Sequence, residues 1–179
     1  MQAVAMNAPD KNHNALKGRI RALRSGNRPV IISTLRELRN SGNVSVLPEL
    51  FELLAGQEDE QIAGEICNLL NDLKDQKAAG LLADAIQNPD YRSVSISLVA
   101  ACWQNGLSYG DHIETFVEVV LTGPYQAAIE AFTVIEGAIG EIGLERRDRL
   151  KSELVSRVGE EEPLKRPPVN KLVRVIESY

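Results

Sequence analysis

An apolar pattern that returns every 31 to 34 residues constrains the fold of this 179-residue chain more than any other feature. Within each return, apolar side chains lie at positions i, i+4 and i+7, which form one stripe along an α-helix. The stripes of the first helices are Leu16-Ile20-Leu23, Leu47-Phe51-Leu54, Ala79-Ala83-Ile86 and Ile113-Val117-Val120. Those of the second helices are Ile31-Leu35-Leu38, Ile62-Ile66-Leu69, Val94-Leu98-Ala101 and Ala127-Ala131-Val134. Because no single helix pair can bury its own stripe, the pattern predicts four stacked helix-pair repeats, numbered 1 to 4 below.

Residues that end helices separate the two helices of every repeat. The breaks are Ser25-Gly26-Asn27, Gly56-Gln57, Asn88-Pro89-Asp90 and Gly123-Pro124. We expect Gly and Asn to supply the left-handed residue that ends the first helix, and Pro to open the second. Aromatic residues make up only 4% of the chain, which also favours closely packed helices over a sheet sandwich.

Two segments resemble parts of HEAT repeats. Residues 46–54 (VLPELFELL) look like the helix that opens such a repeat, and residues 135–143 (IEGAIGEIG) look like the glycine-containing end of its second helix. The short period is similar to that of the compact HEAT-like repeats of the phycobilin-lyase type, and the resemblance covers residues 15 to 143. The Asp-Val-Arg that usually opens a second helix is absent, and Asp90-Tyr91-Arg92 is its nearest match. The resemblance implies an all-α, armadillo-like fold: a right-handed α-α superhelix, or solenoid, of about four HEAT-like helix pairs plus C-terminal capping helices.

Three segments follow from the pattern: a flexible N-terminal arm (1–14), the repeat solenoid (15–143) and C-terminal helices (144–179). The first C-terminal helix is predicted over 144–158, with Leu150, Leu154 and Val158 on one stripe. A charged, proline-containing bend follows at 160–168, and a last short helix carries the apolar residues Val169, Leu172, Val173 and Ile176. Terminal repeats of a solenoid are often atypical because one face meets water, so these helices are expected to cap the stack. The alternative is a detachable tail that docks on a partner.

Charge is distributed unevenly along the chain. Residues 1–43 carry a net charge of +6, residues 44–141 of −13 and residues 142–179 of +2. Within the basic part, Lys17, Arg21, Arg24 and Arg28 follow at helical spacing, and they are a candidate anion-binding stripe. The other interpretation of this stripe is the solvated face of an amphipathic helix. The acidic middle disfavours nucleic acid along the whole solenoid because it would repel a phosphate backbone.

The resemblance implies that the second helices line the concave side of the stack, which makes their non-stripe positions the candidate partner-binding face. These candidates are Gln61, Glu65, Asn68, Asp72, Ser97, Trp103, Gln104, Gln126 and Glu130. Trp103 lies off the main stripe, and an exposed tryptophan is typical of a binding hot spot. Packing between repeats is the alternative role for this side chain.

The sequence contains no catalytic or metal-binding constellation, so we predict neither an enzyme nor a cofactor. Cys67 and Cys102 lie in apolar helical context without metal-type spacing, which is typical of small buried residues in a reducing compartment. His13 falls in the predicted arm, and His112 falls at a helix start.

These observations favour a protein-protein interaction scaffold that holds a partner helix or peptide on its concave face. One alternative is a phosphate or nucleic-acid contact through the basic first helix. A more remote one, suggested by the resemblance alone, is a lyase-like or glycosylase-like enzyme. Apolar stretches fall short of the ~20 residues that span a bilayer, and the N-terminus lacks a signal pattern. A cytoplasmic location without membrane contact is therefore expected, and the oligomeric state is left open.

Overall fold

The computed structural model describes residues 8–41, 43–157 and 166–178, and the side chains of 13–40, 43–157, 169 and 171–178. Every regular element in these ranges is helical, which confirms the predicted all-α class. The α-helices are α1 (Ala8–Leu23), α2 (Arg28–Ser41), α3 (Leu47–Ala55), α4 (Glu60–Asn71), α5 (Lys77–Gln87), α6 (Ser95–Asn105), α7 (Ile113–Thr122), α8 (Tyr125–Ala138), α9 (Leu144–Arg157) and α10 (Arg166–Glu177). Short 3-10 helices lie at Val44–Val46, Pro89–Val94, Gly110–His112 and Ile139–Glu141.

Helices α1 to α8 fall into the four predicted pairs, and the breaks between partners lie where the sequence placed them. The predicted stripe residues are buried, except for Leu16, Ile20, Ile86 and Val94, which are half-buried. Val94 also ends the 3-10 helix before α6 instead of lying in α6 itself. The apolar periodicity therefore identified the core of each repeat, and it was wrong only in placing Val94 inside α6.

The predicted left-handed glycine is found after only one of the four first helices. Gly26, which follows α1, has a φ of +67°. By contrast, Gly56, Asn88 and Gly123 have φ values of −96°, −74° and −72°, so the prediction of a left-handed Gly or Asn is wrong at these three breaks. Position 123 needs glycine for a different reason: a Cβ there would lie only 2.6 Å from the carbonyl oxygen of Val119. Between repeats 3 and 4, Gly106 ends α6 with a φ of +69°.

The contacts of the chain divide it into an N-terminal unit, Met1–Leu69, and a C-terminal unit, Leu70–Tyr179. The division falls inside α4, within the segment 15–143 that the sequence predicts as one domain. In the N-terminal unit, α1 packs against α2 and α3. Its core includes Leu23, Ile31, Leu35, Leu38, Leu47, Leu50, Phe51, Leu54, Ile62 and Ile66, all buried.

In the C-terminal unit, α8 packs against α6 and α7, and α5 packs against the same two helices. The C-terminal helices join this core, because α9 contacts α7, and α10 contacts α7, α8 and α9. Their buried residues are Leu150, Leu154, Val169, Leu172 and Ile176. The ammonium group of Lys171 on α10 also lies 4.7 Å from the ring centre of Phe132 on α8. A detachable tail would therefore have to break an apolar interface.

Two of the predicted segment boundaries shift in the structure. Helix α1 begins at Ala8, so residues 8–14 of the predicted flexible arm are helical, and residues 1–7 lie outside the described residues. Helix α10 begins at Arg166 and takes in the last residues of the predicted bend, since a proline in the first helical turn costs no hydrogen bond. The rest of that bend and Val158 lie outside the described residues.

Candidate binding cleft

In the N-terminal unit, arginines of repeat 1 bind carboxylates of repeat 2. The pairs are Arg24 with Glu49, Arg28 with Asp59 and Arg36 with Glu65, at N–O distances of 2.6, 2.5 and 2.9 Å. Arg24 also reaches Glu52 at 3.3 Å, and Arg28 also donates to the side chain of Gln61. Hydrogen bonding from Arg28 is the main cause that lowers the pKa of Asp59. The sequence separations of 25 to 33 residues show that each of these bonds joins neighbouring repeats.

Two sets of predicted site residues therefore meet within the chain. Gln61 and Glu65, predicted to bind a partner, are hydrogen-bonded to Arg28 and Arg36. Of the predicted anion-binding stripe, Arg24 and Arg28 are already engaged with carboxylates. Arg28 also opens α2, so it does not continue the stripe of α1, which ends at Leu23. Only Lys17 and Arg21 remain as exposed cations of that stripe without an ion pair to the described residues.

A different environment surrounds Trp103 in the C-terminal unit. Trp103 is 46% exposed on α6, and its indole N–H donates to Oε2 of Glu130 on α8 at 2.5 Å. This bond joins repeats 3 and 4, so the tryptophan both contacts the next repeat and offers nearly half its surface to solvent. Beside it lies a cleft of about 350 Å³, which we call the Trp103 cleft. Its walls include Trp103, Gly106, Leu107, Thr133, Gly137 and Glu141.

The floor of the Trp103 cleft is a buried polar cluster. Tyr109, 2% exposed, accepts a hydrogen bond from the side-chain amide of Asn105 at 3.1 Å. Its ring packs edge-to-face on Phe116, with ring centres 5.2 Å apart. Next to it, the Cys102 thiol donates to the carbonyl oxygen of Leu98. These contacts fix the floor, because a satisfied buried network holds its side chains in one arrangement.

Burial raises the pKa of both ionisable groups in this floor, the Cys102 thiol and the Tyr109 hydroxyl. Loss of hydration raises the pKa of Cys102 to about 12, against an ordinary value of 9.0. Burial likewise raises the pKa of Tyr109 above its ordinary value, and the neighbouring thiol adds to the shift. Both groups are therefore protonated near neutral pH. A protonated thiol is a poor nucleophile and a poor metal ligand, so Cys102 serves the cleft as a packing residue.

One end of the Trp103 cleft is held by Glu141, a residue that the sequence analysis did not select. Oε2 of Glu141 accepts from the Ser108 hydroxyl at 2.5 Å and from the backbone N–H of Gly110 at 3.2 Å. The backbone of Ser108 is bound in turn by the side-chain amide of Gln76, which both donates and accepts. Glu141 lies 33 and 31 residues after Ser108 and Gly110, which is about one repeat period, and this spacing is the sequence feature that could have identified it.

The carboxylates of α7 and those near the Trp103 cleft have different hydrogen-bond donors. Glu114 and Glu118 on α7 are bound by Arg146 and Arg157 of α9, and these bonds lower the pKa of both carboxylates. Glu130 and Glu141 accept only from neutral donors in the described part of the chain: an indole, a hydroxyl and a backbone amide. Glu141 lines the Trp103 cleft and Glu130 is bonded to Trp103 beside it. Neither carboxylate makes an ion pair within the described part of the chain, and no Lys or Arg is among the residues that line the cleft.

The remaining predicted partner-binding residues are not brought into this cleft. Gln104 and Gln126 are exposed on α6 and α8, and Ser97 is half-buried on α6. Asn68 is exposed on α4, and Asp72, also exposed, follows the end of that helix. Of the predicted face, the structure thus brings together Trp103 with Glu130 in repeats 3 and 4, while Gln61 and Glu65 contact arginines.

A second cleft, of about 410 Å³, lies in the C-terminal unit near the turns between α5 and α6 and between α7 and α8. Its lining includes Gln87, whose amide donates to Thr115 at 2.7 Å, together with Arg92 and Pro124. Within the described ranges, no group of three or more His, Cys, Asp or Glu side chains is placed to hold a metal ion. No helix there is both long and apolar enough to cross a bilayer.

Comparisons with known proteins do not assign the chain to a family. No protein-family model matches the sequence. A search of curated proteins also finds no match. The HEAT-like resemblance and the concave binding face therefore stay predictions.

Proposed function

We propose that this chain is a protein-interaction scaffold, a HEAT-like solenoid that holds a helix or peptide of a partner protein on the face formed by its second helices. The observation that carries the proposal is the Trp103 cleft: an indole 46% exposed beside a cleft of about 350 Å³ with a fixed polar floor. Tryptophan is enriched at binding hot spots, which cluster in preformed pockets. A cytoplasmic location, expected from the sequence, is part of the same proposal.

The surroundings of Trp103 support binding through a pre-organised surface. Its indole N–H is already bonded to Glu130, so docking a partner against the ring does not require the side chain to be ordered first. On α8, Tyr125 and Ile129 are also exposed large apolar residues, 52% and 42% accessible. Exposed apolar side chains on a polar surface supply the contact area that a partner segment can cover.

The proposal assigns binding rather than catalysis to this cleft. Catalysis needs groups whose ionisation suits proton transfer or nucleophilic attack at the working pH. Burial keeps the Cys102 thiol protonated because it raises the pKa of this group to about 12. Tyr109 is likewise kept protonated and is hydrogen-bonded beneath the surface. A ligand would meet the aromatic ring of Trp103, the carboxylate of Glu141 in the cleft and that of Glu130 beside the ring, which suit recognition.

The test compares two variants that each remove one large exposed apolar side chain. Trp103→Ala removes the proposed anchor, and Leu144→Ala removes a leucine that is 71% exposed on α9 and is not among the residues that line the cleft. Partners would be captured from native lysate by chemical cross-linking and identified by mass spectrometry. We expect one protein to be captured by the wild type and by Leu144→Ala but lost from Trp103→Ala. Equal capture by all three would refute the assignment of the site.

A contact with phosphate or nucleic acid is the second candidate, supported by the exposure of Lys17 and Arg21 on α1. Because Arg24 and Arg28 are occupied by carboxylates, this site has two available cations instead of four. The logarithm of the binding constant for duplex DNA should then fall against the logarithm of salt with a slope of about −2. A slope near −4 would mean that the intramolecular pairs open on binding, and absence of binding at low salt would remove this candidate.

A further inference from the structure

We infer that the partner segment presents a cationic side chain, arginine or lysine, to the Trp103 cleft. The inference deepens the proposed function and depends on it. Its basis is the contrast between carboxylates that arginine neutralises and the two at the cleft that only neutral groups contact. A cation on the partner would give these carboxylates the ion pairs that they do not make with the described part of the chain.

The geometry at Trp103 suits such a cation. The indole uses its N–H on Oε2 of Glu130, and Oε1 of that carboxylate accepts no hydrogen bond from the described residues. A guanidinium or ammonium group beside Trp103 can therefore meet a carboxylate oxygen and the aromatic ring together. Cations within about 6 Å of a tryptophan ring centre are attracted by its electron-rich face. Arginine adds a planar fork that can stack on the ring while it donates to the carboxylate.

The charge around the site also disfavours the opposite kind of partner. Residues 44–141 contain three Lys and Arg against sixteen acids, and the cleft itself has no basic lining residue. An acidic segment would bring like charges together at Glu130 and Glu141, which opposes association and slows encounter. A neutral apolar segment could contact Trp103 but would cover the carboxylates without replacing their hydration. A basic segment with apolar neighbours satisfies both the ring and the carboxylates.

The experiment uses the only tryptophan of the chain as its reporter. Since Trp103 lines the cleft, a saturable change in its emission reports a ligand that alters the surroundings of the indole. Three blocked helical peptides of one Leu/Ala frame would be titrated at constant ionic strength, with arginine, citrulline or glutamate at the same two positions. Citrulline has nearly the shape of arginine and no charge. We expect the arginine peptide to bind at least about fivefold more tightly than the citrulline peptide.

Glu130→Gln tests the source of this preference without changing the shape of the site. The glutamine side chain keeps an oxygen that accepts from the indole N–H, and only the charge is lost. We expect the preference for arginine over citrulline to fall by up to about fivefold, the range for exposed ion pairs. Asp84→Asn, on the exposed face of α5, removes one charge from the same unit and should leave the preference unchanged.

The outcomes separate this inference from the proposed function. If the citrulline or glutamate peptide binds as tightly as the arginine peptide, the cationic partner is refuted and the cleft stands as a binding site. If the arginine peptide gives no saturable change, the inference is refuted as well. The proposed function is judged separately, by whether Trp103→Ala loses the protein that the wild type captures from lysate.

Discussion

Removal of the Tyr109 hydroxyl should destabilise the C-terminal unit, because this group is buried beneath the Trp103 cleft and hydrogen-bonded there. Tyr109→Phe keeps the ring and its edge contact with Phe116 but takes away the acceptor of the Asn105 amide. Asn105 is only 2% exposed, so water cannot replace that acceptor. Leaving a buried donor without a partner costs about 1 to 3 kcal/mol. The free energy of unfolding should fall by that amount.

Urea denaturation followed by Trp103 emission measures this loss in the unit that contains the substitution. In a thermal scan, each kcal/mol should lower Tm by about 2 to 4 °C for a chain of this size. Tyr125→Phe is the matched control, since Tyr125 is 52% exposed and makes no hydrogen bond through its hydroxyl to the described residues. This control should stay within about 0.5 kcal/mol of the wild type. Indistinguishable stabilities of the two variants would refute the view that the floor is a hydrogen-bonded network.

Two further predictions concern pH and the C-terminal helices. Because burial raises the pKa values of Cys102 and Tyr109, their stabilisation is complete below pH 9.0 and is lost as pH rises towards about 12. In urea titrations, each group should then lower the free energy of unfolding by about 1.4 kcal/mol per pH unit. In Cys102→Ala, the pH at which this free energy begins to fall should move up towards 10.0, the ordinary pKa of tyrosine. An unchanged starting pH would contradict this reasoning. Leu172→Ala, at a fully buried position of α10, should cost about 2 to 5 kcal/mol in the same assay, against almost nothing for exposed Leu144→Ala; no loss would favour the detachable tail.

The sequence predicted the helices well because burial follows from periodicity alone. A stripe such as Ile113-Val117-Val120 can be buried only if the chain is helical there and another helix covers it, and all three residues are buried. Turn chemistry was predicted less well. Gly26 has the expected positive φ, whereas at Gly123 the glycine is required by the nearby carbonyl oxygen of Val119. A glycine in a sequence does not reveal which of these reasons placed it there.

The charged and polar contacts were the least predictable part of the site. Arg28 and Gln61 belong to different predicted functions, yet they are hydrogen-bonded to each other. Helical spacing gives the face on which a long side chain starts but not the neighbour that its end reaches. Glu141 was missed for the same reason, since its partners Ser108 and Gly110 lie one repeat earlier and are not charged. Comparing side chains one period apart, in addition to apolar stripes, would have found these pairs.

The alanines of α8 have a consequence for how a cleft of this kind changes during evolution. Ala127, Ala128 and Ala131 are completely buried in a helix that packs against α6 and α7. Added methyl groups at such positions force the surrounding backbone to shift, because a close-packed interior has no space for them. The opening between Trp103 and Thr133 would then widen or narrow although neither residue had mutated. If the Trp103 cleft binds a partner as proposed, substitutions at buried alanines behind it could change its selectivity without altering any residue that lines it.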